Sequence, residues 1–407
     1  MSKDCTIQDV FHRFYSSFES THSISPAQRK AAYHIMNCKT GAFGVNVSVC
    51  EDCGCISVHY NSCRDRCCPM CQEFPKEKWV DARREDILDA PYFHVVFTVP
   101  EELNPIIYSN QKFLYTALYH AASDTLSELA ADSKYLGTDI GYICILHTWG
   151  STMNFHPHIH AIVLGGGLDV KNHWKDNGKD FFLPIKVISK TFRGKYMAEL
   201  KQLWENDRLE FHGSAAPYKN YYTFKELLNT CYAKEWIPYC KKPFDGAESV
   251  IRYLGKYTHR IAISNYRIKG MTESTVTFSV KDYKKQGQWK ESTLSGEEFI
   301  RRFLMHVPPK RFVRIRHYGL LSSRNKNTKI TICRNILGCQ KYISRLKDID
   351  TPAMHHSKEK VSVTSSNGCR QRASRNRSTD PTTEKNSFNI ENNTAGQYLC
   401  LVGLHTF

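Results

Sequence analysis

The stretch His156-Pro157-His158-Ile159-His160-Ala161-Ile162-Val163-Leu164, closed by Gly165-Gly166-Gly167, decides how the chain is read. Its histidines alternate with other residues and lead into an apolar run. As a β-strand, whose side chains alternate faces with period two, it projects His156, His158 and His160 to one side. Imidazoles two residues apart on a rigid apolar strand can converge on a divalent metal ion. Three hydrogen-bonded histidines on a wet sheet face would show the same pattern, so the neighbouring sequence has to discriminate.

Just before it, Tyr142-Ile143-Cys144-Ile145-Leu146-His147 reads as a second strand, joined to the first through the turn Gly150-Ser151-Thr152. Further back, Phe93 to Val99 reads as a buried strand ended by Pro100, and residues 110–133 as an amphipathic helix. Strand, helix, strand, strand opens an antiparallel α+β sheet domain. A helix from about Arg193 to Leu209 follows. Trp236 to Phe244 is aromatic, basic and proline-broken, as a surface loop near nucleic acid or a packed loop would be.

The second chemical stretch is Ala247 to Arg260. Val250, Ile251 and Leu254 fit the buried face of a helix, and Tyr253 and Tyr257, four apart, share one face. Lys256, three residues from Tyr253 and one from Tyr257, can lower a phenol's pKa or hold a phosphate. Two amphipathic core tyrosines would look similar. Ile261 to Ile268 and Ser274 to Val280 read as strands, and Ser295 to Met305 as a capped helix. Lys310 to Tyr318 alternates cations and apolar residues, which puts Arg314 and Arg316 on a basic strand face suited to backbone phosphates. From about Thr351 polar residues dominate, as in a disordered tail.

Residues 1–40 read as helical, with Val10, Phe11, Phe14, Tyr15 and Phe18 at helical spacing and a new start at Ser25-Pro26. Of the chain's 16 cysteines, Cys38, Cys50, Cys53, Cys55, Cys63, Cys67, Cys68 and Cys71 crowd into one short span. Met1 to Cys5 lacks the apolar core of a signal peptide, so a reducing, cytoplasmic setting and metal ligation are expected rather than disulfides. The pairs Cys50/Cys53 and Cys68/Cys71, about fifteen residues apart, have the spacing of a four-thiolate zinc site, with Cys63 and His59 as spare ligands. Arg64 and Arg66 beside it suit phosphates. Lys and Arg exceed Asp and Glu by 56 − 40 = 16, a field that favours a polyanion, nucleic acid first. No run of about 18 apolar residues suggests a membrane span.

His158-Ile159-His160 resembles the His-hydrophobic-His signature of the HUH endonucleases, and Tyr253-Leu254-Gly255-Lys256-Tyr257 resembles their tyrosine motif. Over about residues 20–330 the chain is similar to the insertion sequence 91 family of bacterial rolling-circle transposases. The likeness takes in Asn61-Ser62-Cys63-Arg64, Cys68-Pro69-Met70-Cys71-Gln72, Leu146-His147-Thr148-Trp149-Gly150, Tyr253 to Ile263, Phe299 to Leu304 and Arg316-His317-Tyr318-Gly319. Cys67 stands where members usually have His. The resemblance implies an α+β nuclease domain with a five-stranded antiparallel sheet (91–330), an amino-terminal zinc domain (1–90) and a variable tail (331–407). It also implies single-stranded DNA at transposon ends and target DNA as substrates, structural Zn²⁺ and catalytic Mg²⁺ or Mn²⁺. A nucleoid-associated location is expected, and oligomeric state is left open. His158 and His160 are the implied metal ligands, with His156, His94 and His259, in that order, as candidates for the third. Tyr253 and Tyr257 are the implied nucleophiles, aided by Lys256. A plasmid replication initiator or relaxase of the same chemistry, or a non-catalytic zinc-dependent DNA-binding protein, are the rival readings.

Overall fold

The computed structural model describes residues 5–349, apart from 51–52, 177, 179–182, 237, 242–248, 252, 254, 256–260, 283–286 and 347–348. Its elements begin α1 (Ile7–Thr21), α2 (Pro26–Asn37), β1 (Val45–Val49), β2 (Ile56–Tyr60), α3 (Glu73–Arg84), β3 (Tyr92–Thr98), α4 (Asn104–Ser109), α5 (Gln111–Ala131), β4 (Asp139–Trp149) and β5 (Phe155–Leu168). They continue with β6 (Trp174–Asp176), α6 (Ile185–Glu205), α7 (Tyr221–Ala233), β7 (Tyr239–Lys241), β8 (Ile268–Met271), β9 (Thr275–Asp282), β10 (Gln288–Ser295), α8 (Gly296–Met305), β11 (Ile315–Gly319) and α9 (Lys329–Leu337). Residues 1–43 with 61–351 form one compact unit, and residues 44–60, which hold the β1–β2 hairpin, fall in another.

The main sheet has strand order β11-β4-β5-β3-β7, every neighbour antiparallel, with short β6 added beside the end of β5. Period-two alternation gives it two faces. Ile159, Ala161 and Val163 share one with Phe93, Val95, Phe97, Tyr142, Cys144 and Leu146, all packed in one core with α5 and α6. Phe97 meets Phe192 of α6 with ring centroids 4.9 Å apart. The other face carries Ile143, Ile145, Ile162 and Leu164, covered by Leu88, Val250, Leu320 and Ile330. By the same alternation His94, His147, His158 and His160 belong to this second face. The glycines that close β5 are required by crowding: a Cβ on Gly166 would overlap the Trp174 ring, and one on Gly167 the Asp139 carbonyl.

A second core unites the amino-terminal helices with residues 261–307. Thr6 caps α1 reciprocally with Asp9, and Ser25 caps α2 with Gln28. The aromatic face of α1 needs a partner, and it finds one in α8 and the three-stranded sheet β10-β9-β8. Phe11 meets Phe303 edge-on at 5.3 Å, and Phe278 meets Phe299 at 5.6 Å. Each such buried ring is worth about 1.5–3 kcal/mol. This core draws on residues from both sides of the expected boundary at residue 90. Cys67, Cys68 and Cys71 sit in the same core as Phe299 and Phe303.

Other expectations shift for local reasons. Trp236 is buried against Phe192 at 5.6 Å, and Tyr239–Lys241 pairs with β3 as an edge strand rather than forming a loop. Ile261, Ala262 and Ile263 are buried in the second core without strand pairing, and β8 starts only at Ile268. Strand β10 is largely exposed, so no apolar alternation announced it. The basic segment becomes a strand only from Ile315, after Pro308 and Pro309. The expected tail start at 331 falls inside α9. Ordered chain continues beyond it because the Asp81 carboxylate accepts hydrogen bonds from Tyr342 Oη, Ser344 Oγ and the Arg345 and Leu346 amides. Residues 351–407 lie outside the described residues. Among the described residues no helix is long and apolar enough to cross a membrane.

Candidate metal and tyrosine centre

His147 on β4 pairs in register with His158 on β5, and His160 follows two residues on. One ring nitrogen from each of His147, His158 and His160 lies within 4.8 Å of the others. His158 Nε2 and His160 Nε2 are 3.1 Å apart. His158 Nδ1 sits 2.7 Å from the His156 carbonyl, so this nitrogen carries the proton and donates, leaving the Nε2 lone pair to the centre. Burial holds His158 near a pKa of about 4, and burial with the neighbouring imidazoles pushes His160 well below the usual value. Neutral, converging imidazoles are a donor set that fits a divalent metal ion.

Of the candidates drawn from the sequence for a third ligand, His156 and His94 are not in this cluster, whose third member among the described residues is His147. A strand rises about 3.4 Å per residue, which separates the His156 and His160 backbones by about 14 Å, too far to share an ion readily. A registered cross-strand neighbour stands only about 5 Å away, and here that neighbour is His147. It lay in the quoted Leu146-His147-Thr148-Trp149-Gly150 run. His259 lies outside the described residues.

His94 has a different place. Its Nε2 is 2.8 Å from His160 Nδ1, and the Tyr253 hydroxyl is 2.7 Å from His94 Nε2 and 2.9 Å from His160 Nδ1. Ser249, Val250, Ile251, Tyr253 and Gly255 are helical, and Val250 and Tyr253 pack on the sheet face that bears the histidines. The phenol and the histidines are therefore brought together as expected. Lys256 and Tyr257 lie outside the described residues.

The cysteine site is a quartet of Cys38, Cys63, Cys68 and Cys71, whose sulfurs lie within 4.8 Å of one another. Four thiolates so placed fit a closed structural zinc site. Cys63, Cys68 and Cys71 were anticipated. Cys50 and Cys53 belong instead to the hairpin unit, and Cys38, at the end of α2, completes the set. A lone cysteine ending a helix gave no CxxC signal. Asp65 braces the loop: its carboxylate accepts the Cys67 amide at 2.8 Å and pairs with His34 Nδ1 at 2.9 Å.

The four arginines expected on phosphates divide. Arg64 is exposed in a left-handed backbone conformation. Arg66 donates to the carbonyls of Phe312 and, at 2.9 Å, Pro309. Arg314 lies over the Trp149 ring, and Arg316 lies 4.0 Å above the Tyr119 centroid. Three of them are thus tied into the protein's own contacts.

Comparison with known proteins turns this geometry into a family. The chain is 40% identical over 334 residues to "Putative transposase y4qJ" of Sinorhizobium fredii, covering 82% of this chain and 84% of that relative. It belongs to the insertion sequence 91 family of transposases. The transposase is also 28% identical over 296 residues to "Transposase for insertion sequence element IS801" of Pseudomonas savastanoi pv. phaseolicola, covering 71% and 69%. The family described as "Putative transposase" matches residues 141–329, and "Transposase zinc-binding domain" matches residues 10–99, which contain the whole cysteine quartet of the transposase. No solved structure matches the transposase.

Proposed function

We propose that this transposase nicks and rejoins single-stranded DNA at the ends of its element through a 5′-phosphotyrosyl intermediate. One observation carries the reading: the Tyr253 hydroxyl is within hydrogen-bond reach of His94 Nε2 and of His160 Nδ1, the latter on a ring that also faces His147 and His158. Tyr253 Oη attacks phosphorus, the bond to the 3′ oxygen breaks, and the departing oxygen becomes a free 3′-hydroxyl. Bond energy is conserved in the phosphotyrosine, so the reverse attack rejoins a strand.

A bound Mg²⁺ or Mn²⁺ would be held by His147, His158 and His160 and would polarise the phosphoryl group as a Lewis acid. With its Nε2 turned to that centre, His160 carries its proton on Nδ1. Two protons then share the triangle of Tyr253 Oη, His160 Nδ1 and His94 Nε2, with one nitrogen lone pair, on His94, to accept. The phenol proton passes to His94 Nε2, and His160 Nδ1–H donates to the phenolic oxygen as it turns anionic. A phenol of ordinary pKa about 10 is a weak nucleophile at neutral pH, and this pair of contacts supplies the activation. Tyr257 is proposed as the second nucleophile and Lys256 as a nearby cation. Arg64 is the proposed phosphate contact beside the zinc loop.

Single-stranded oligonucleotides from the element's ends test this directly. Cleavage that depends on Mg²⁺ or Mn²⁺ and leaves a 3′-hydroxyl is expected; metal-independent cleavage, or none by folded protein, contradicts the reading. His94→Ala should slow cleavage by about 10²- to 10⁴-fold, the range for a positioned general base, while Mn²⁺ still binds. An unchanged rate in His94→Ala would remove His94 from the mechanism and leave the nucleophile to be tested separately.

A further inference from the structure

A line of contacts joins the cysteine quartet to the histidine centre. Arg66 stands in the loop between Cys63 and Cys68, and its guanidinium holds the carbonyls of Pro309 and Phe312, in the segment between α8 and β11. Two residues beyond Phe312, Arg314 lies with its guanidinium carbon 5.7 Å from the Trp149 ring centroid. The Arg314 carbonyl accepts the Leu146 amide at 3.0 Å, so the same residue grips the strand just before His147. Trp149 in turn stacks on the His147 ring, with centroids 4.7 Å apart and planes 21° from parallel.

The backbone around Trp149 has its own anchor. His306 is buried with Nδ1 3.0 Å from Thr148 Oγ1 and Nε2 3.0 Å from the Met153 carbonyl. Loss of the arginine above Trp149 would therefore loosen the ring stack before it loosened the chain. A metal-binding imidazole must aim its lone pair, and the groups that fix its ring plane typically matter 10- to 100-fold for metal affinity.

We propose that the zinc loop sets the affinity of the histidine centre for its divalent ion, with Arg66, Arg314 and Trp149 as positioning residues that hold His147. The proposal rests on the reading of His147, His158 and His160 as a metal centre. It makes the zinc domain part of the catalytic architecture rather than a separate DNA-binding attachment.

The test is an electron paramagnetic resonance titration of the full-length zinc-loaded protein with Mn²⁺, without DNA. Arg314→Met and Trp149→Leu should weaken Mn²⁺ binding by about 10-fold, and Arg66→Gln several-fold, at unchanged zinc content. Trp149→Phe, which keeps a flat ring on His147, should recover most of the affinity. Lys310→Gln, exposed in the segment that Arg66 holds, should bind as the parent does. Should Trp149→Leu fail to fold, Trp149→Phe against Arg314→Met decides the same question. Parent protein that binds no Mn²⁺ overturns the metal reading itself. Parent binding with Arg314→Met and Trp149→Leu within twofold of it overturns the line of contacts, and an unaltered Arg66→Gln removes the zinc loop from it.

Discussion

His147→Ala should lower Mn²⁺ affinity and strand cleavage each by at least about 100-fold, while His156→Ala changes either by no more than a few-fold. A metal acting as Lewis acid contributes several kcal/mol to the transition state, and each 1.36 kcal/mol is a factor of ten. His147 shares the centre with His158 and His160, whereas His156 contributes a backbone carbonyl that accepts the His158 N–H. Alanine at 156 keeps that carbonyl. The fold should survive both changes, since each histidine sits beside an apolar core rather than within it. Isothermal titration with Mn²⁺ alongside a cleavage assay checks this. Equal losses in the two variants would place the ion along β5 instead of between β4 and β5.

The second large effect concerns Cys38→Ser. The quartet should lose its zinc, while Cys50→Ser keeps it, because Cys50 belongs to the hairpin unit. Structural zinc contributes an apparent ~10–16 kcal/mol in small zinc modules, comparable with the whole stability of a domain, about 5–15 kcal/mol. Cys68 and Cys71 share a core with α1, α2, α8 and β9. Zinc loss should therefore strip hydrogen-exchange protection from residues 7–38 and 261–307 together and leave it on 92–168, whose core is separate. Protection lost only over 38–75 would show the zinc module to be self-contained.

The sequence announced what local periodicity and spacing can encode. Strands around Phe93, Tyr142 and His156 were legible because apolar alternation is a local property, and α1 because its apolar residues recur at helical spacing. The histidine cluster was legible only in part. His158 and His160 lie on one strand, but His147 joins them through strand register, which no spacing along the chain reports. Cys38 was hidden for the same reason: a single cysteine at a helix end becomes a ligand only when α2 packs beside the Cys63–Cys71 loop. The union of residues 7–38 and 63–71 with 261–307 is likewise a long-range fact. An aromatic helix face says that a partner exists without saying which. Arg66, Arg314 and Arg316 also meet carbonyls and rings supplied from elsewhere in the fold, which charge patterning along the chain does not report.

The most direct measurement is the mass of the covalent adduct and the tyrosine that bears it. Parent protein incubated with Mn²⁺ and a single-stranded oligonucleotide from the element's own end should be recovered with the DNA 5′-phosphate on the peptide containing Tyr253. Tyr253→Phe keeps the ring and removes only the hydroxyl that meets His94 and His160, so any remaining adduct should move to Tyr257. The double Tyr253→Phe, Tyr257→Phe protein should carry none. DNA still attached to that double variant, or attached in the parent at any other residue, would contradict the account.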